Sequence, residues 1–105
     1  MFAAVPAVAG TVEGTGSAIN VSVGFQPSAV WVGNYDDAGT VYIQAIWNSS
    51  MPNASAFTIG AASSRITTGG ITPYAGSTSA SEGFTIGTNA DLNANGETLY
   101  YIAWR

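Results

Sequence analysis

The eight residues Ala18-Ile19-Asn20-Val21-Ser22-Val23-Gly24-Phe25 set Ile19, Val21, Val23 and Phe25 on one side of an extended chain and Asn20, Ser22 and Gly24 on the other. Successive side chains of a strand point to opposite faces, so this alternation predicts a strand with one buried and one wet face. Gln26-Pro27-Ser28 then breaks the run, and Ala29 to Asn34 follows with too little polar alternation for a half-exposed strand, which predicts cover on both of its faces. Tyr35 to Gly39, with Asp36 and Asp37, reads as a turn into a strand over Thr40 to Trp47. In that strand Val41, Ile43, Ala45 and Trp47 share one face. Tyr42, Gln44 and Ile46 share the other, a mixed face suited to a subunit contact.

Further along, Asn48 to Ser55 reads as loop and Ala56 to Gly60 as a short strand. The Ser, Thr and Gly rich stretch 61–81 predicts two short strands, Arg65 to Thr68 and Ile71 to Tyr74. Gly83 to Gly87 and Glu97 to Trp104 are the last two strands, joined by the loop Thr88 to Gly96. No segment sustains the three-and-four apolar spacing of a helix. Short β-rich runs separated by Gly, Asn, Asp and Pro clusters predict an all-β fold, an antiparallel β-sandwich or jelly roll of about seven to nine short strands. Residues 1–10 read as an apolar N-terminal arm and 11–105 as a single sandwich domain, since a chain of 105 residues has room for one core.

Phe57-Thr58-Ile59-Gly60 recurs as Phe84-Thr85-Ile86-Gly87, and Val30-Trp31-Val32-Gly33 has the same shape. Each predicts a strand end whose inward pair is followed by a Gly able to take positive φ. Trp31, Trp47 and Trp104 lie in the strongest strand patterns and are expected in the core. The closing strand is apolar on both sides, with Leu99, Tyr101 and Ala103 facing one way and Tyr100, Ile102 and Trp104 the other. It therefore needs cover on both, from a second sheet and from a neighbouring subunit or the N-terminal arm.

The composition excludes much chemistry. The chain has no His, Cys or Lys, and its only cations are Arg65 and Arg105, against Glu13, Asp36, Asp37, Glu82, Asp91 and Glu97. Ser is abundant, but a serine nucleophile needs a base and neither His nor Lys is present, so no catalytic residues are expected and the chain reads as a non-enzyme. Asp36 and Asp37 are adjacent and read as a solvated turn, not as a carboxyl pair held across a substrate. Asp91-Leu92-Asn93-Ala94-Asn95-Gly96 matches the first six positions of a calcium-binding loop, but the twelfth is Ile102 and no helices flank it. Asx side chains bonding their own backbone account for the same letters, and no metal or cofactor is expected. A net charge of −4 opposes binding to nucleic acid or to an anionic membrane. Only 8% of residues are charged and 47% hydrophobic, whereas soluble domains carry about 25% charged residues. A surface so poor in charge is suited to coverage by other subunits, because interface cores are depleted in Lys, Glu and Asp.

The stretch Glu82 to Arg105, with its Gly-Phe-Thr-Ile-Gly strand end, its Asn-Ala-Asn-Gly-Glu loop and its closing Tyr-Ile-Ala-Trp, resembles a segment of tailed-bacteriophage structural proteins. Gly24 to Asn34, with Gly-Phe-Gln-Pro and Val-Trp-Val-Gly-Asn, resembles a segment upstream of it in the same proteins. That segment occurs in capsid decoration (cement) proteins and in tail-fibre modules. The resemblance implies a virion structural protein on the outer surface of the capsid. Its partners would be the major capsid protein and copies of itself, as a homotrimer, and it would stabilise the head shell by bridging capsid subunits. The expected contact residues are Phe2, Val5, Tyr42, Ile46, Tyr100, Ile102 and Trp104. The alternative is a tail-fibre or tail-tip module that binds a host glycan by stacking Trp and Tyr on sugar rings.

Overall fold

In a computed structural model the chain is described over residues 6–35, 43–60 and 64–105. Eight strands form: β1 (Ala7–Glu13), β2 (Ile19–Ser22), β3 (Ala29–Asn34), β4 (Ile43–Asn48), β5 (Ser55–Ile59), β6 (Ser64–Tyr74), β7 (Gly83–Ile86) and β8 (Thr98–Trp104). All pairings are antiparallel, and they run in the single order β1-β8-β3-β4-β5-β6-β7-β2. The fold is all-β, as the alternation predicts. β3 to β7 form a meander, while β8 returns to lie between β1 and β3, and β2 pairs with β7.

The sheet folds over on itself around one core. Val21 and Phe25 from the β2 region, Val30 and Val32 from β3, Ala45 and Trp47 from β4, Ala56 from β5, Ile71 from β6, Phe84 and Ile86 from β7 and Leu99 and Ala103 from β8 belong to one buried cluster. The fold-over is centred on β6, which replaces the two short strands expected at Arg65 to Thr68 and Ile71 to Tyr74. Its first half pairs with β5 (Ile66 with Ala56), and past a shift of register Ile71 pairs with Ser55 of β5 on one side and with Ile86 of β7 on the other. Between the halves sit Gly69, at φ +73°, and Gly70, whose missing Cβ would meet the Ser55 carbonyl. Irregularities of this kind let a strand pass from one layer to the next. The Gly pair that looks like a break in the sequence is the corner of the fold.

The boundary expected after residue 10 falls inside β1, which pairs along its whole length with β8, from Ala7 with Trp104 to Glu13 with Thr98. Residues 7–10 are thus an edge strand and not an arm. The strand expected over Ala18 to Phe25 keeps its ladder only over Ile19–Ser22, because Gly24 takes φ +94° and turns the chain. Phe25 is buried all the same, beneath the Arg105 guanidinium 5.2 Å from its ring centre.

The repeated tetrapeptide corrects the expectation placed on it. Phe84 and Ile86 are fully buried, but Phe57 is 53% exposed and Ile59 points outward, with Thr58 buried between them. Register decides this. Val32, Ala45 and Thr58 lie in one row, so the inward parity of β3 and β4 carries Thr58 inside. Trp47 fills the core on this side, and its inward neighbours are small (Ala45, Ala56 and Thr58), as fixed core volume requires. Gly33 and Gly87 do not take positive φ; their missing side chains admit the Trp31 indole and the Gly69 backbone, respectively.

Candidate functional site

Across β1, β8, β3, β4 and β5 the outward positions fall into three registered rows. The central row runs Ala9, Ile102, Trp31, Ile46, Phe57. Beside it lie Thr11, Tyr100, Gly33, Gln44, Ile59 on one side and Ala7, Trp104, Ala29, Asn48 on the other. No residue in these rows carries a charge. Ile46, Phe57, Ile59, Tyr100 and Trp104 are all exposed large apolar side chains, and Tyr35 stands at the end of β3, 73% exposed. Scattered exposed apolar residues are ordinary, but a contiguous patch of this kind marks an interaction surface.

The expected contact residues Ile46, Tyr100, Ile102 and Trp104 come together on this face. Phe2, Val5 and Tyr42 lie outside the described residues, as does the turn at Asp36 and Asp37. Of the three Trp expected in the core, Trp47 is buried there, whereas Trp31 is half-buried on the outer face and Trp104 is exposed. Strand parity explains the difference. Trp31 lies between the inward Val30 and Val32, and Trp104 follows the inward Ala103. Trp31, Phe57 and Ile59 also lie on this face, and the sequence reading missed them. The signal was available for Trp31, because two inward Val residues flanking it leave only the outward side.

Part of the face forms a groove. The Trp31 indole lies over Gly33, close enough that a Cβ there would meet its six-membered ring, and its Nε1 donates to Gln44 Oε1 at 2.9 Å. Tyr100 flanks it from β8, and Tyr35 packs edge-on to Tyr100 with ring centres 6.2 Å apart at 88°. The space above, about 760 Å³, is bounded by these residues with Thr11, Ala9 and Ile102. It offers flat aromatic surface and a few neutral hydrogen-bonding groups. Replacing Gln44 by Ala removes the indole's acceptor at an exposed site, so the expected stability loss is within about 1 kcal/mol. The Trp31 indole N–H resonance should shift upfield and exchange faster with solvent, which NMR of the variant would record.

The loop expected to mimic a calcium site is occupied by its own side chains. Asn89 Oδ1 accepts from the Asp91 and Leu92 amides at 3.1 and 3.0 Å, which is an Asx-type turn. Leu92 and Asn93 are fully buried. Asn93 accepts from the Thr15 and Gly16 amides (2.9 and 3.3 Å) and donates to the Ser17 and Gly87 carbonyls (2.7 and 2.9 Å). Asn34 adds a further tie, donating to the Asp91 carbonyl at 3.1 Å and to Glu97 Oε1 at 2.7 Å. Among the described residues no three His, Cys, Asp or Glu gather as a metal site. The loop works as a plug that fastens the β1–β2 connection to the ends of β3 and β7.

Comparison of the chain with protein-family models, with curated proteins and with solved structures finds no match.

Proposed function

We propose that this chain is a bacteriophage virion structural protein of the capsid decoration type, which sits on the outer surface of the head and bridges neighbouring subunits. The observation that carries this reading is the outer sheet face, apolar and uncharged across five strands in register. Burying such a face releases ordered water at about 25 cal/mol per Å² of apolar area, and any contact made only in the assembled shell stabilises that shell by mass action. The similarity of Glu82 to Arg105 and Gly24 to Asn34 to phage structural segments supports the virion as the setting. The partners are the major capsid protein and further copies of this chain. Catalysis has no support from a chain without His, Cys or Lys.

Heads prepared without this protein should lose their DNA at a lower temperature than complete heads, and adding the purified chain back should restore the difference. Labelled chain should decorate the head surface in electron micrographs. Unchanged thermal stability, or label confined to the tail tip, would overturn the reading. The groove beside Trp31 favours a second reading, a tail-tip module that stacks a neutral glycan on Trp31 and Tyr100, with Gln44 and Thr11 meeting its hydroxyls. Under that reading the label lies at the tail, and a soluble glycan perturbs the Trp31 indole resonance.

A further inference from the structure

We infer that the outer sheet face is covered by a second copy of this chain, in a two-fold contact whose axis runs along β3. This rests on the reading of the face as an assembly contact and names its occupant. Three features argue for a copy of the chain itself.

The first is shape. Phe57 and Ile59 project from β5 at one side of the face, and the groove bounded by Gln44, Trp31, Tyr100, Ile102 and Ala9 runs from β4 across β3 and β8 to the other side, at β1. Rotation by 180° about a line along β3 turns the face onto itself and exchanges the two sides, so β5 of each copy lies over β1 and β8 of the other. The projecting Phe57 of one copy then meets the β1 end of its mate's groove, twice. Two stacked sheets sit about 10 Å apart with their side chains interleaved, which is the depth that such a knob and groove provide.

Charge is the second. Near a two-fold axis each residue meets its own copy or a close neighbour, so any charge at the centre would face its like. The three rows hold none, and Arg65, paired with Phe57 from β6, stands at the margin. Glu13 ends β1, one outward position beyond Thr11 and outside the three rows, and Glu82 and Asp91 lie in loops.

The third is area. The six exposed large side chains are 40 to 73% exposed; at roughly 150 to 250 Å² for a whole large side chain they offer about 500 to 600 Å². With half-buried Trp31 and Ile102 and the polar rim of Thr11, Gln44 and Asn48, the face reaches the approximately 800 Å² per partner of a standard stable interface.

Sedimentation equilibrium of the purified chain should give twice 10.7 kDa at micromolar concentration. Phe57→Asp should weaken association by at least about a hundredfold, with its far-ultraviolet circular dichroism unchanged because the side chain lies outside the core. The chain has no native Cys, so a Phe57→Cys, Ala9→Cys double variant should form a disulfide-linked dimer on mild oxidation, and neither single variant should. A monomer at all concentrations, a trimer, or a dimer that survives Phe57→Asp would overturn the inference. Head binding by a chain that is monomeric in solution would overturn this contact and leave the decoration reading standing. A cross-linked dimer that never binds heads would do the reverse.

Discussion

Replacing Gly83 by Ala should cost several kcal/mol and detach β2 from the sheet. A Cβ at this position would lie inside the van der Waals radius of the Val21 carbonyl oxygen, with the Val21 carbonyl carbon 2.8 Å and the Ser22 Cα 3.0 Å away. All three are backbone atoms, so no rotamer change relieves the clash. β2 is held by only four registered residues, Ile19 to Ser22 against Ile86 to Gly83. Forcing them apart exposes the underside of Phe84 and Ile86, both fully buried. Overpacking a tight core costs typically about 1 to 3 kcal/mol, and here the lost ladder adds to it. Gly16→Ala is the control: nothing lies within 4 Å of its Cβ and φ is +78°, so only the left-handed backbone is penalised, at about 1 kcal/mol. Urea titrations of the two variants would check the ranking. Equal midpoints would show that β2 yields freely.

Asn93→Ala should lower stability by about 3 kcal/mol, because it takes the side-chain partner from the Thr15 and Gly16 amides and the Gly87 carbonyl, and leaves the Ser17 carbonyl only the Thr15 hydroxyl, where the loop packs against β1 and β7. Four hydrogen bonds end on this one buried side chain. Hydrogen exchange would localise the effect, with the Thr15 and Gly16 amides losing protection while the β3–β4 ladder keeps it. Uniform loss of protection would mean that the plug is not a local fastening. Asn93→Leu should be no better, since filling the volume does nothing for the four groups that face it.

Much of the fold was legible because strand periodicity is strict. Ala29–Asn34 is a strand over the very residues expected, and β8 divides into Leu99, Tyr101, Ala103 inside and Tyr100, Ile102, Trp104 outside, as its pattern required. Periodicity alone fixes alternation but not sign. Phe57-Thr58-Ile59 and Phe84-Thr85-Ile86 have the same letters and opposite orientation, and only the register against β4 and the bulk of Trp47 choose between them. The corner at Gly69–Gly70 was hidden for a related reason. A Gly pair in a Ser and Thr rich stretch reads as a gap between strands, whereas β6 runs through it, keeping β5 by a shift of register and gaining β7. Half of the exposed apolar face was found from the doubly apolar β8 and the mixed face of β4. The remainder, on β3 and β5, needed the pairings that set four strands side by side.

The place of β8 in the sheet has a kinetic consequence. It is synthesised after the other seven strands, yet it belongs between β1 and β3, where Trp104 pairs with both Ala7 and Ala29. Pairings across such sequence separations are slow to form, because chain closure must precede their reward. Until residues 98–104 have been made, the Ile102, Tyr100 and Trp104 portion of the outer face does not exist, and the strands that flank it have no neighbour between them. Copies emerging from adjacent ribosomes therefore carry an incomplete sticky surface. Under the two-fold contact inferred above, self-association is timed to the end of folding by the order in which the strands are made.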